Sequence, residues 1–427
     1  MLDVRLIATI YGIPVYFQRM PEEIRSVSAG ILLFTGSADD ERVGLPGLYH
    51  WFEHVPFRGT VKYPRGTEDL EKPIIRRNGK INAWTNLSST CFHGTVHISQ
   101  WQRLMSTLTD LVAQPLISAD AVEAERKIIE QELCGKVGSA EGYSSYASLP
   151  ILFPGHPFGH HPLGSSETLA NMDTDTLRRA HRLGYDRSRA QVVVIGNIPE
   201  DDLMGVLNEV LALIPDHQII ERHQPAFHGE LPWIPSGITR VETEFATSVI
   251  RMLFPLPNNT GESAFMQHNM LMCMRLNGLF EHGGTSSPLG RIVRHERNLV
   301  YGADVVYNII PGGGYFGFEA EARRDNIPAI IQAFKDVLVD PSVTSTERID
   351  ELKESLIASL EMQMPSPSQY RSETISQLQT LGGITMSQKE IMTYMDSTTS
   401  SQVQSHLELF PLDQARILIF EGTGTQA

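Results

Sequence analysis

Residues 48–60 read LYHWFEHVPFRGT, and within them His50, Glu53 and His54 form the pattern H-x-x-E-H, the reverse of the commoner H-E-x-x-H. On a helix His50 and His54 are i and i+4, so they share one face and can chelate a single ion. Glu53 is i+3 from His50 and lies at the edge of that face, placed to reach a metal-bound water rather than the metal. Imidazole is a good zinc donor, and a catalytic zinc takes three protein ligands and keeps one position open. A third ligand must therefore come from elsewhere in the chain. Pro56 removes one helical hydrogen bond and crowds the carbonyl of Phe52. It is expected to bend the helix end just past His54 without displacing that ring.

The segment 119–136, ADAVEAERKIIEQELCGK, predicts a second helix. Asp120 and Glu123 suit a capping box there, and Gly135 suits a stop. Glu125 and Glu132 are two turns apart on one face, and either could reach an ion held by the first helix.

The rest of the 427-residue chain sets the frame. Its length suits two or three domains with proper cores. A formal net charge of −15 argues against nucleic acid as a partner, because phosphate binding needs a basic surface. Cys91, Cys134 and Cys273 are odd in number, widely spaced and without a CxxC, so they read as free thiols of a reducing, cytoplasmic compartment. No apolar run is long enough to span a bilayer, and no membrane partner is expected. His156, His160 and His161 fall in a Gly/Pro loop, PGHPFGHHPLG, without a carboxylate or thiol at ligand spacing.

The chain says similar things twice. GILLF (30–34) is matched by IRMLF (250–254), MDTDT (172–176) by MDSTT (395–399), and QVVVIG (191–196) by ARILIF (415–420). The offsets are 254 − 34 = 220 and 395 − 172 = 223, close to half the chain. Between the copies, 214–237 carries four prolines and little periodicity. The expected organisation is a metal-binding domain at 1–215, a linker at 216–235 and a homologous domain without metal at 236–427. Alternating strands mixed with amphipathic helices predict α+β domains, each a mostly antiparallel sheet packed with helices.

These motifs together resemble the pitrilysin, insulysin and mitochondrial processing peptidase family. GSADDE (36–41), the H-x-x-E-H helix followed by F-x-G-T, AERKIIEQEL (124–133), GHHPLGSSETL (159–169) and VVVIGNIPEDDL (192–203) all match its pattern. The resemblance implies a clamshell half built from two related domains and a zinc-dependent endopeptidase acting on short or unfolded peptides. It implies one Zn2+ per chain, held by His50, His54 and Glu132, with Glu53 as the base. Glu125 would be a supporting acid that orients a ligand histidine. In GKINAWTNLSST (79–90), Asn82, Ala83 and Trp84 would lie on an edge strand that pairs with the substrate backbone. In GRIVRHERNLVYGADV (290–305), Arg297 and Tyr301 would bind substrate and stabilise the oxyanion. FEH (280–282), with Gly278 in place of a histidine, resembles a degenerate copy of the motif. Because one chain carries both the zinc motif and the Arg/Tyr pair, a homodimer with two equivalent sites is expected, a heterodimer with a related subunit being the alternative. The other class of function open to such a chain is a non-catalytic partner subunit, though such members typically lose motif residues. Thr90-Cys91-Phe92-His93 departs from the family's more aromatic pattern and bears on subsite preference.

Overall fold

The computed structural model describes residues 3–42, 44–217, 233–256, 287–310, 313–362, 366–380, 385–408 and 410–424. Most of the expected linker, the FEH copy at 280–282 and Cys273 lie outside the described residues. Cys91 and Cys134 are free.

The first half supplies β1 (Arg5–Ile10), β2 (Ile13–Arg19), β3 (Ser26–Leu33), β4 (Lys80–Thr85), β5 (Thr90–His97) and β6 (Ala190–Gly196). Its helices are α1 (Leu48–His54), α2 (Lys72–Ile75), α3 (Trp101–Ala113), α4 (Ala119–Val137), α5 (Ala140–Leu152), α6 (Ser166–Ala170), α7 (Thr174–Gly184) and α8 (Glu200–Val210). The second half supplies β7 (Gly237–Thr243), β8 (Ser248–Leu256), β9 (Ala303–Ile310), β10 (Gly313–Ala322) and β11 (Arg416–Gly422). Its described helices include α9 (Ile327–Val339), α10 (Thr346–Met362) and α11 (Pro367–Thr380).

Two sheets result. The first runs β1-β2-β6-β3-β5-β4 and the second β7-β11-β8-β10-β9. In the first, β2 and β6 are parallel, and β6–β3, β3–β5 and β5–β4 are antiparallel. In the second, β7 and β11 are parallel, and β11–β8, β8–β10 and β10–β9 are antiparallel. Leaving out β1, the two orders and senses are the same. The strand pairs matched by sequence, β3 with β8 and β6 with β11, occupy equivalent places.

The strands β3 (SVSAGILL) and β6 (AQVVVIG) are apolar on both faces because both faces are covered. One face packs on α1, α3, α7 and α8 of the same half, with Ile31, Phe52, Leu108 and Val194 in its core. The opposite face receives α11 from the other half, through Tyr370, Ile375 and Leu378 against Leu32, Cys91, Val193 and Ile195. Gly30 of β3 lies under this helix: a Cβ there would come within 3.1 Å of Ile375 Cδ1.

The second sheet repeats the arrangement. α9 covers one face through Ile330, Phe334 and Val337. The other face is covered by α5 from the first half, where Leu149 and Leu152 meet Val249, Leu253, Leu418 and Phe420. The two exchanged helices are themselves equivalent in position, since 367 − 140 = 227, close to the repeat offset. Each sheet is thus closed by the other half's helix. Beyond the linker's undescribed part, Trp233 packs on Phe153 at 4.8 Å and the Ile234 N–H donates to Leu152 O at 3.3 Å, so this flank is docked.

A buried ion pair sits in the α5 contact. Arg251 of β8 pairs with Glu319 of β10 and donates to Ser148 Oγ of α5 at 2.9 Å, while Ser144 Oγ donates to Glu319 at 3.5 Å. Breaking one side leaves a buried charge without its partner. Arg251→Ala is expected to lower the unfolding free energy by about 3–5 kcal/mol, measured by chemical denaturation. The double variant Arg251→Met, Glu319→Leu should recover most of that loss.

Candidate metal centre

α1 has only seven residues, LYHWFEH. Its buried side, Tyr49, Trp51 and Phe52, is fully enclosed. His50, Glu53 and His54 therefore lie along the opposite side. The N-terminal N–H groups of the helix find a remote acceptor: Asp40 Oδ2 accepts from Gly47 N–H at 2.7 Å and Oδ1 from Tyr49 N–H at 2.9 Å. A carboxylate there also meets the positive end of the helix dipole. Burial pushes the Asp40 carboxyl up to about 6, against the opposing pull of His160 and the two N–H groups. His160 Nε2 stands 3.3 Å from Asp40 Oδ2 and 2.7 Å from Ser37 O.

After His54 the chain tightens into a 3-10 turn, Val55–Arg58, with Pro56 in its first positions. Val55 N–H still closes the last α-helical bond to Trp51 O. The missing N–H of Pro56 thus falls where the α-helix has already given way, and His54 remains turned toward α4.

α4 starts differently from the expectation. Its N-cap is Ser118, in extended conformation, whose Oγ accepts from Ala121 N–H at 3.1 Å. Asp120 and Glu123 are inside the first turns, Glu123 pairing with Arg126 at 2.8 Å. Ser118 competes better as a cap because it precedes the first helical residue and is free to stay extended. The helix also runs through Gly135 to Val137.

Two glutamates of α4 face α1 with different partners. Glu125, almost fully buried, places Oε2 2.9 Å from His54 Nδ1 and binds Arg58 Nε through Oε1. Burial raises the Glu125 pKa, but the bonds from His54 and Arg58 outweigh it and keep the group ionised. Glu132 is more exposed, and its Oε2 lies 3.7 Å from both His50 Nε2 and His54 Nε2. Ligand atoms of His50, His54 and Glu132 all lie within 4.8 Å of one another, the one such grouping found among the described residues.

The donor set fits a zinc ion. Glu125 fixes the proton of His54 on Nδ1, so the Nε2 lone pair is directed at the space shared with Glu132 and His50. Burial, with His54 next, pushes His50 down to about 3, so its imidazole is neutral and free to ligate. Burial lowers the His54 pKa too, but Glu125, Glu132 and Glu53 outweigh it. Glu53 is 9% exposed, and burial raises its carboxyl while a hydrogen bond with Thr85 opposes. Its Oε2 is buried with no protein partner among the described residues. Such an oxygen is costly unless a water or ligand atom fills the space before it.

The remaining residues distribute as follows. β4 is the edge strand of the first sheet and packs on α1. Asn82 is exposed, Ala83 buried and Trp84 half-buried. Arg297 follows a π-helical turn at Gly290–Glu296 and pairs with Asp336. Tyr301 is 88% exposed, with the Arg294 guanidinium over its ring at 4.8 Å. Neither has a contact to the centre among the described residues. Sequence reasoning missed Asp40, Arg58 and His161. Arg58 carried a faint signal, a cation four residues after His54, whereas Asp40, ten residues before His50, carried no periodic one. His161 carried none, because only the fold brings its loop beside His50.

Glu125→Gln should keep the fold yet weaken zinc binding by about 10–100-fold, measured by competition with a chromophoric chelator.

Two family models match the chain: insulinase (peptidase family M16) over residues 19–139, and peptidase M16 inactive domain over 171–356. An uncharacterized zinc protease of Mycobacterium leprae is 25% identical over 329 residues, 77% of this chain and 71% of that protein. Protease 3 of Salmonella typhimurium is 24% identical over 368 residues, though the chain spans 36% of its length. The crystal structure of a peptidase M16 inactive domain from Pseudomonas fluorescens superposes with a TM-score of 0.85 at 15% identity, over 99% of this chain and 98% of that one. With its H-x-x-E-H helix in the first matched region and the repeated fold in the second, the chain belongs to peptidase family M16.

Proposed function

We propose that the protein is a zinc-dependent endopeptidase that hydrolyses short or unfolded peptides inside a closing chamber. The observation that carries this reading is the convergence of His50, His54 and Glu132 beside a buried Glu53 oxygen that has no protein partner among the described residues. Zinc held by those three residues would lower the pKa of a water molecule and polarise the peptide carbonyl. With the ion bound, Glu53 Oε2 would be the atom that holds a proton of the attacking water and passes it to the leaving amine. Its buried setting, which raises its pKa, suits a group that must hold and then release a proton. Glu125 holds His54 in the ligating tautomer, and Arg58 keeps Glu125 ionised. β4, as a sheet edge, offers backbone groups for an added peptide strand.

Arg297 and Tyr301 act in this scheme across a homodimer. Their exposure, and their lack of contact with the centre of their own chain among the described residues, support a role toward the centre of a second copy. Two free thiols are in keeping with a reducing, cytoplasmic setting. A non-catalytic partner subunit is the rival reading, and it is disfavoured by the presence of all three ligands and the base.

Glu53→Gln should reduce peptide hydrolysis by about 10²–10⁴-fold while zinc content by metal analysis stays at one per chain. Wild-type protein that binds zinc but cleaves no peptide, alone or with a related subunit, would sink the enzyme reading. Mixing Glu53→Gln with Tyr301→Phe chains tests the dimer. Each is expected to be impaired alone, and random pairing should restore about a quarter of wild-type activity through one intact composite site. No recovery on mixing, with exchange verified by mass, would rule out sites shared between subunits.

A further inference from the structure

Beside His50 lies a cavity of ≈ 380 Å³ that His161 also lines. Its walls come from both halves: Thr85, Asn86 and Ser88 at the end of β4, and Asn308, Tyr315 and Gln379 from the second half. Among the described residues, no Asp, Glu, Lys or Arg lines it. The net charge of −15 therefore says little about this space: its described wall is made of hydroxyls, amides, two imidazoles and apolar side chains.

His161 is the fixed donor in that wall. Its Nδ1 accepts the Leu163 N–H at 3.2 Å. A backbone N–H can only donate, so Nδ1 carries no proton and the neutral ring bears it on Nε2. Nε2 has no hydrogen-bond partner among the described residues. The ring packs on Tyr146 at 5.3 Å, and the Tyr146 hydroxyl ties the same loop down by donating to Gly164 O at 2.8 Å. The imidazole is thus held from two sides, with one N–H left to give.

Building on the peptidase reading, we propose that this cavity receives a substrate side chain next to the cleaved bond, that it selects an uncharged amide, glutamine or asparagine, and that the His161 Nε2–H is the selecting donor. Lysine and arginine bring only donors, which oppose the His161 donor, and a cation in a wall without acids has nothing to neutralise it. A carboxylate likewise finds no cation among the described wall residues. Leucine fills space but strips water from His161 and the amides without replacing its hydrogen bonds. An amide both accepts and donates, which matches a wall of both kinds.

The test uses zinc-loaded full-length protein and peptides identical but for Gln, Leu, Lys or Glu beside the cleaved bond. The glutamine peptide should have the highest kcat/KM. His161→Ala should lower the Gln-to-Leu ratio about tenfold, the effect of one hydrogen bond. His161→Gln, which keeps an N–H donor, should recover part of the ratio. A His161→Ala variant that slows all peptides equally, or a wild-type preference for Lys or Glu, overturns the proposal. A second readout does not need turnover: calorimetric affinity of Glu53→Gln protein for the Gln and Leu peptides, with and without His161→Ala. A Gln preference that vanishes with His161 supports the pocket, and equal affinities overturn it. If the wild-type protein cleaves none of the peptides, the peptidase reading fails, and the calorimetry still decides the pocket.

Discussion

Everything at the centre depends on how α1 is locked to α4. Two helical turns are too short to be stable alone, since isolated helices need about 12–15 residues. The lock uses two adjacent residues of α4 that project in different directions. Glu125 reaches His54 on one side, at 2.9 Å. Arg126 places its guanidinium over the Trp51 ring at 5.0 Å on the other and donates to Met172 O at 2.8 Å. With both engaged, α4 can neither slide nor turn against α1, and Glu132, about 10 Å further along the axis, is carried to the two Nε2 atoms. α7 presses from behind. A Cβ on Gly184 would sit 2.5 Å from the Tyr49 ring, so only glycine lets the two helices approach this closely.

This lock explains what was legible beforehand and what was not. A four-residue histidine spacing and a seven-residue glutamate spacing are properties of single helices, and local periodicity reveals them. Periodicity leaves Glu125 and Glu132 equivalent; the resemblance assigns them different roles. In the structure their difference is one of depth: Glu125 lies under Arg58 and bonds the far nitrogen of His54, whereas Glu132 lies at the open rim. The Asp120–Glu123 cap fails for a local reason, because Ser118 two residues earlier can stay extended. Asp40 and His161 belong to a third class. Their proximity to α1 is created by chain closure over 10 and 111 residues, for 50 − 40 = 10 and 161 − 50 = 111, and no local pattern encodes that.

Closure at the scale of the halves follows the same logic. Each sheet has two covered faces, as the nearly continuous burial along β3 and β6 shows for the first, yet each half keeps helices over only one of them. The second face is filled by the equivalent helix of the other copy, α11 on the first sheet and α5 on the second. A repeat of about 220 residues was readable from matched strands, but such matches cannot tell a helix that folds back on its own sheet from one that crosses over. The crossing also places second-half residues, Asn308, Tyr315 and Gln379, in the wall next to His50. The half without the ligand motif thereby shapes the space in which a bound peptide would lie.

The edge strand shows how neighbouring residues of one strand serve different sides of the sheet. Across β4–β5, Asn82 pairs with His93, Ala83 with Phe92 and Trp84 with Cys91. Cys91 belongs to the core beneath α11, and Trp84 packs against it there. Ala83 and Phe92 belong to the opposite core, on the side of α1. Because side chains alternate across a strand, Trp84 lies on the face away from the metal ligands and Ala83 on the near face, while Ile81 and Asn82 line a cavity that they share with Glu53 and His54. A peptide added along β4 would therefore gain its affinity from main-chain hydrogen bonds, with Ala83 leaving room above the centre rather than making a contact. On the proposed reading, discrimination between one peptide and another would draw on the cavity walls beside His50 and on those that Ile81 and Asn82 share with Glu53 and His54.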